Sequence, residues 1–316
     1  MVPIEPSKTL APGNLQEQIL AVVPEIKKIA DIEVDIPFNV DSSDISSYQW
    51  DILSEIIKRK MDNYDGFVII HGTDTMAYTA SALSYSLLNL KKPVILTGAQ
   101  RPLAKLRTDA RSNLIDAIEL ATMQISEVVI VFGQRVLRGN RTIKISNRSY
   151  DAFDSPNYPL LGNIGLDIRL NEKYFLSNDR PFKYNPGFSA KAMVVYIHPA
   201  LDPGLFLPLI KDDLSAFIFV GYGAGNFPTN DPDWLPLIKT AVKREKAVFI
   251  ASHSIFGTIN PGLYESGKRA LDLGVSNIED MTVEAAYVKL LKILTYSSAV
   301  KEIYENFHNN LAGEIG

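Results

Sequence analysis

The chain has 316 residues, of which 46% are hydrophobic and 22% are charged, and it contains no cysteine. This length exceeds what one hydrophobic core usually supports, so it predicts two domains. The formal net charge of −4 argues against a nucleic-acid partner, because neutralising phosphates requires a basic surface. The lack of cysteine excludes disulfides and is typical of a reducing compartment, and no apolar run approaches the length of a membrane span. We therefore expect a cytoplasmic protein without membrane partners.

Short apolar runs alternate with helical periodicity in the first half of the chain. The run 67–70 ends at His71-Gly72 and is followed by a helical stripe of apolar residues, namely Met76, Ala80, Leu83, Leu87 and Leu90. The run 94–96 precedes a second helix, with Thr108 or Asp109 as its cap. The run 128–132 predicts a third strand, and residues 134–141 a hairpin or loop. This alternation is typical of an α/β domain with a parallel sheet.

The segment 178–190 contains two prolines and a glycine, a composition that rarely continues a helix or strand. We expect the linker at 181–190, between an N-terminal domain of residues 1–180 and a smaller C-terminal α/β domain of residues 191–316. The predicted strands of the second domain are 194–197, 216–220 and 247–250. Its last helix is marked by Leu290, Leu291 and Leu294.

The first of three polar segments is Asp41-Ser42-Ser43-Asp44. It precedes a helix whose capping box is supplied by Ser46 and Gln49. Ser42 and Ser43 are therefore free to bind a ligand. The alternative is that they form a polar turn before the helix.

The second segment, 71–76, puts Thr73, Asp74 and Thr75 between a buried strand and a helix N-terminus. Ligands bind beyond the carboxyl ends of parallel strands, and a helix start offers backbone N–H groups. The alternative is that Thr73 or Thr75 only caps the helix. A single histidine at a strand end, such as His71, is more often structural, and the four histidines show no metal-ligand spacing.

The third segment, 138–144, ends at Lys144. Its composition is that of a solvated hairpin tip. A buried lysine can nevertheless take a proton from a threonine hydroxyl while an aspartate orients the pair. Thr73, Asp74 and Lys144 would supply these three roles if the fold brings them together.

Seven motifs share the order and spacing found in one enzyme family. They are DSSD (41–44), HGTDTMAYTASAL (71–83), TGAQRPL (97–103), RGNRTIK (138–144), DAFDSPNYPLLG (151–162), GYGAGN (221–226) and EDMTVEA (279–285). With them the chain resembles the bacterial L-asparaginases, and most closely their cytoplasmic branch. The resemblance implies a larger N-terminal domain with a flavodoxin-like parallel sheet and a smaller C-terminal α/β domain. It also implies a homodimer or a dimer of dimers, and no cofactor or metal.

The resemblance assigns roles to individual residues. Thr73, Asp74 and Lys144 match a catalytic triad in which Lys144 is the base, and Asp74 also holds the substrate α-amino group. Ser42 matches the serine that binds the α-carboxylate, and Ser43 matches its neighbour, which is glutamine in secreted relatives. Ala99 and Asn226 complete the expected substrate-binding set, with Asn226 reaching the site of another subunit.

The attacking threonine of the family belongs to a Thr-Gly-Gly-Thr-Ile turn that has no counterpart after Met1. The resemblance therefore puts the nucleophile upstream of Met1, and we expect the chain from Met1 alone to be inactive. The expected reaction is hydrolysis of L-asparagine to L-aspartate and ammonia. The alternatives are an asparaginase-like subunit of a tRNA amidotransferase and a non-catalytic amino-acid-binding pseudoenzyme.

Overall fold

The computed structural model describes residues 23–103, 105–177, 179–211 and 213–316. Two compact units are present: residues up to 155 together with 159–186 form the first, and residues 156–158 together with 187–316 form the second. Both combine helices with a sheet, as the sequence predicts. The domain limits and the linker at 181–190 stay predictions. Within that segment Lys183–Tyr184 forms a strand of the first unit.

The first unit is built on a six-stranded sheet with the strand order β1-β3-β4-β5-β8-β9. Its helices and strands are α1 (Ser47–Lys60), β1 (Phe67–Ile70), α2 (Met76–Ser86), β2 (Leu87–Leu88), β3 (Val94–Thr97), α3 (Ala110–Ala121), β4 (Val128–Phe132), β5 (Arg135–Arg138), β6 (Ile143–Lys144), β7 (Phe153–Asp154), β8 (Gly162–Ile164), β9 (Ile168–Leu170) and β10 (Lys183–Tyr184). Strands β1, β3 and β4 are parallel, with Val68 opposite Ile95 and Ile95 opposite Val129. Strands β5, β8 and β9 add antiparallel pairs. The parallel strands carry the loops of the site at their carboxyl ends.

Burial explains why the central strands are apolar throughout. Strands β3 and β4 are buried along their whole length, as expected of parallel strands covered on both faces. Helix α2 packs Met76, Ala80 and Leu83 into the same core as Leu96 and Ile130. This core fixes the turn between β1 and α2, which carries Thr73 and Asp74.

The end of α2 differs from the sequence prediction because distant residues intervene, whereas the start of α3, with Asp109 at its N-cap position, agrees with it. Helix α2 ends at Ser86, since Leu87–Leu88 pairs with Lys183–Tyr184. Before α3, the hydroxyl of Thr108 accepts a hydrogen bond from the N–H of Ala110 at 3.0 Å. The carboxylate of Asp109 instead accepts the backbone N–H groups of Gln100 and Arg101, at 2.9 and 3.0 Å. The predicted hairpin at 134–141 is confirmed by the antiparallel pairing of β4 with β5.

The second unit has a parallel four-stranded sheet with the order β11-β12-β13-β14. Its elements are β11 (Ala192–Tyr196), α4 (Leu207–Lys211), β12 (Ala216–Gly221), α5 (Leu235–Lys243), β13 (Ala247–Ser252), α6 (Glu265–Leu271), β14 (Ser276–Asn277), α7 (Val283–Ile293) and α8 (Val300–His308). Leu290 and Leu291 lie in α7. The prediction that this helix is the last is wrong, because α8 follows it. Across the described stretches, no helix has both the length and the apolar character needed to cross a membrane.

Candidate active site

Thr73, Asp74 and Lys144 meet beyond the carboxyl end of β1. The side-chain nitrogen of Lys144 donates to the hydroxyl of Thr73 at 2.7 Å and to the carboxylate of Asp74 at 2.6 Å. The Lys144 side chain is 19% exposed, whereas that of Asp74 is 68% exposed. A half-buried ammonium thus holds a hydroxyl and a solvent-facing carboxylate together, although the catalytic roles of all three residues stay predictions.

Lys144 is held by a segment that is buried rather than solvated. Strand β6, which ends at Lys144, pairs with β7. Arg138, Asn140 and Arg141 just before it are 3%, 0% and 1% exposed. Arg138 forms a buried ion pair with Glu127 at 2.6 Å. The solvated-hairpin alternative is therefore wrong, and the chain leading to Lys144 has little freedom to move.

His71 stabilises the turn between β1 and α2 through its hydrogen bonds. It is buried, and its backbone N–H donates to the carbonyl of Thr97 at 2.8 Å. The ring Nδ1–H donates to the carbonyl of Gly72, which leaves Nε2 to accept from the hydroxyl of Thr79 at 2.9 Å. Burial lowers the pKa of His71 and keeps the imidazole neutral. These contacts give His71 a structural role.

Ser42 packs directly against the same turn. It is buried in a short 3₁₀ turn (Ser42–Asp44), and its carbonyl accepts the hydroxyl of Thr75 at 2.6 Å. Thr75 occupies the N-cap position of α2 but makes no side-chain capping bond, so the capping alternative is wrong for this residue. A Cβ added to Gly72 would lie 2.6 Å from the Ser42 hydroxyl oxygen. Only glycine at position 72 lets Ser42 pack this closely against the turn that carries Thr73 and Asp74.

The other predicted substrate-binding residues have different surroundings. Ser43 is exposed, and its backbone N–H and hydroxyl donate to Asp41 at 2.9 and 2.8 Å, which lowers the pKa of that carboxyl. Ala99 is half-buried just after β3. Asn226 belongs to the second unit, where its side-chain oxygen accepts from the hydroxyl of Ser266 at 3.3 Å. Its predicted approach to another subunit stays a prediction.

Gln100 is a polar neighbour of the triad that the sequence did not single out. The hydroxyl of Thr73 also faces the side-chain oxygen of Gln100 at 3.5 Å. Gln100 lies in the loop after β3, at the same edge of the sheet as Thr73. Its position in the TGAQRPL motif, just after a parallel strand, is the sequence signal that could have identified it as a site residue. No cluster of three or more histidine or acidic side chains suited to a metal occurs among residues 23–103, 105–177, 179–211 and 213–316.

Both halves of the chain match known protein families. The model for "Asparaginase, N-terminal" covers residues 1–175, and the model for "Glutaminase/Asparaginase C-terminal domain" covers residues 191–307. The chain belongs to the asparaginase family.

Individual relatives agree with this assignment. L-asparaginase 1 of Escherichia coli K12 is 39% identical over 308 residues, which span 96% of this chain and 90% of the relative. A glutamyl-tRNA(Gln) amidotransferase subunit of Pyrococcus abyssi is 32% identical over 96% of this chain and 71% of its own length. The crystal structure of L-asparaginase I from Vibrio cholerae has a TM-score of 0.87 at 35% identity, covering 100% of this chain and 96% of that one.

Proposed function

We propose that this protein hydrolyses the side-chain amide of L-asparagine to L-aspartate and ammonia. The observation that carries the proposal is the hydrogen-bonded group of Lys144, Thr73 and Asp74, next to a buried serine. The 39% identity to an L-asparaginase over nearly the whole chain supports the choice of substrate.

In the proposed reaction a threonine hydroxyl attacks the amide carbonyl, and ammonia leaves as the acyl-enzyme forms. Water then attacks the ester, releases aspartate and restores the threonine. Lys144 and Thr73 relay the protons, Asp74 binds the substrate ammonium, and Ser42 binds the α-carboxylate. The attacking threonine, expected upstream of Met1, lies outside the described residues. The oxyanion needs donors at hydrogen-bond distance, and the N–H of Thr73 is our candidate for one of them.

The proposal is tested by measuring ammonia release from L-asparagine and L-glutamine, with and without hydroxylamine. This and every later activity measurement use the protein extended upstream of Met1 by the expected Thr-Gly-Gly-Thr-Ile turn. An acyl-enzyme divides between water and hydroxylamine, so we expect aspartyl hydroxamate to form at the expense of aspartate. Binding of asparagine without any turnover, by a chain that includes the upstream residues, would instead indicate the pseudoenzyme.

The amidotransferase alternative is supported by the 32% identity to the Pyrococcus abyssi amidotransferase polypeptide, of which this chain covers 71%. A protein of that kind would release ammonia for a partner and act with tRNA. Sustained asparagine hydrolysis by the isolated protein, unchanged on adding tRNA, would exclude this alternative.

We also propose that the protein is cytoplasmic and forms a homodimer or a dimer of dimers. The support is its resemblance to the cytoplasmic branch of the family and the lack of cysteine. Sedimentation of the purified protein tests the assembly.

A further inference from the structure

We infer that Gln100 is a positioning residue that orients the hydroxyl of Thr73 in the resting site, with its oxygen toward Lys144 and its proton away from it. The inference rests on the proposed amide hydrolysis and adds a residue to it. The hydrogen bonds of the Gln100 side chain go to Thr73, Ser146 and Ser149. Gln100 acts through the Thr73 hydroxyl, which lies between its side chain and that of Lys144.

The orientation of the Gln100 amide follows from two carbonyl groups. Its Nε2 donates to the carbonyl of Ser146 at 3.1 Å and to that of Ser149 at 3.0 Å. Backbone carbonyls only accept hydrogen bonds, so the NH₂ group must face them. The side-chain oxygen is thereby turned toward Thr73, whose hydroxyl lies 3.5 Å away.

The backbone of Gln100 is anchored independently of its side chain. Its N–H donates to the buried carboxylate of Asp109 at 2.9 Å, and Arg101 donates to the other oxygen at 3.0 Å. The side-chain amide of Asn113 donates to the same carboxylate at 3.1 Å. Exchanging the Gln100 side chain should therefore leave the path of the loop largely unchanged.

These contacts give the Thr73 hydroxyl one direction. In the resting site the charged Lys144 nitrogen has only donors, so at 2.7 Å the Thr73 oxygen accepts there. Its proton points to the Gln100 oxygen, the acceptor on the other side. At 3.5 Å this second contact is long and weak, so the Thr73 hydroxyl can leave it and turn its proton to Lys144 once the lysine has lost a proton and acts as the base. Without Gln100 the hydroxyl loses this orientation, and the Thr73–Lys144 contact loses its defined geometry.

The test compares Gln100→Met, which keeps the length but removes both hydrogen-bonding groups, with Gln100→Glu. The matched control is Gln124→Met, on an exposed residue in the loop after α3. We expect kcat of Gln100→Met on asparagine to fall about tenfold, with KM changed less than about threefold. Gln124→Met should match the unmodified protein.

The pH dependence of kcat in Gln100→Glu distinguishes a positioning role from a purely structural one. A protonated carboxyl can donate to one of the Ser146 and Ser149 carbonyls and still accept from Thr73, whereas a carboxylate faces both carbonyls without a donor. We expect kcat of this variant to recover toward normal as the pH falls from about 7 to about 5, where the introduced carboxyl takes up a proton. The unmodified protein lacks this group and should show no such rise.

A second measurement does not depend on turnover. The Nζ resonance of Lys144, assigned with Lys144→Arg in ¹⁵N-lysine-labelled protein, should shift in Gln100→Met and not in Gln124→Met. An unmoved resonance, or a pH profile of Gln100→Glu parallel to that of the unmodified protein, would overturn the inference. If the protein that includes the upstream residues fails to hydrolyse asparagine while the resonance shifts, then the proposed function is wrong and the positioning role stands.

Discussion

The side-chain nitrogen of Lys144 lies 2.7 Å from the hydroxyl of Thr73, although 71 residues separate the two along the chain. The same nitrogen lies 2.6 Å from the carboxylate of Asp74. A buried segment leads to the lysine, and a glycine turn holds the other two residues. Buried packing and the glycine turn thus bring together three side chains from two distant parts of the chain.

Replacing Lys144 by Met should reduce kcat on asparagine by about a hundredfold or more, because the proton relay is lost. KM should change less, since Ser42 and Asp74 remain. Steady-state kinetics with Lys301→Met as control test this, because Lys301 is highly exposed and its ion-pair partner Glu305 is exposed as well. A Lys144→Met variant with normal kcat would exclude the proposed base.

Gly72→Ala should raise KM about tenfold, because the new Cβ would lie 2.6 Å from the Ser42 hydroxyl oxygen and 2.7 Å from its Cβ. Such overpacking costs about 1–3 kcal/mol, and the displacement of Ser42 would relieve part of it. Gly165→Ala is the matched control, since its Cβ would meet nothing closer than 3.9 Å. Equal KM values for both variants would show that the position of Ser42 does not matter.

If Asn226 completes the site of another subunit, mixed oligomers of two impaired variants should recover activity. Lys144→Met and Asn226→Ala subunits are unfolded together and refolded, and asparagine turnover is measured. In a mixed dimer one site then carries both changes and the other carries neither, so about a quarter of all sites should work. No recovery is expected if Asn226 serves its own chain. Ser266→Ala tests whether the 3.3 Å contact to Asn226 contributes.

Asp116→Asn should stabilise the protein at neutral pH. Burial, with a smaller contribution from nearby Glu119, raises the pKa of Asp116 to about 6. A folded-state pKa above the unfolded value of about 4 means that the stability this group contributes is present at low pH and is lost as the pH rises through about 6.

The expected gain for Asp116→Asn is about 1 kcal/mol at pH 7, since solvent screens this half-buried group, and it should vanish near pH 4. Urea unfolding across this range measures it. Glu119→Gln, which removes only the lesser cause, should give a smaller gain. A gain that does not change with pH would contradict the assignment.

The buried ion pair of Lys289 with Glu314 should tie the C-terminal segment to α7. Both side chains are fully buried and 2.5 Å apart, and Lys289 also donates to the carbonyl of Asn309 at 2.7 Å. Burial lowers the pKa of Lys289, and Glu314 opposes that shift. Lys289→Met should cost about 3–5 kcal/mol, because it leaves a buried carboxylate without its counter-charge.

Adding Glu314→Gln to Lys289→Met should restore much of that loss, since the charge is then gone from both sides. The free energy of unfolding in urea measures the cycle. The exposed pair Lys301–Glu305, 3.7 Å apart, is the control, and Lys301→Ala should change stability by less than about 0.5 kcal/mol. Additive losses in the double variant would mean that the pair is not coupled.

Several features of the site could not be predicted from the sequence alone, because they depend on contacts that the fold creates. The Gln100 amide is oriented by the carbonyls of Ser146 and Ser149, in a loop 46 to 49 residues away. The composition of segment 138–144 predicts a solvated hairpin tip, yet its arginine and asparagine side chains are buried. Composition indicates what a segment can tolerate in water, whereas burial depends on what packs over it.

The sequence by itself determined the features that depend on near neighbours. The capping box of Ser46 and Gln49 formed as predicted, because both partners lie within one helical turn. The strands 67–70 and 128–132 followed from their apolar runs. Tertiary structure alone ended α2 at Ser86, drew the Asp109 carboxylate to Gln100 and brought Lys144 to Thr73. Each of these depends on a partner at least nine residues away in the chain, and neither hydrogen bonding within one helical turn nor hydrophobic periodicity specifies which of these groups will meet.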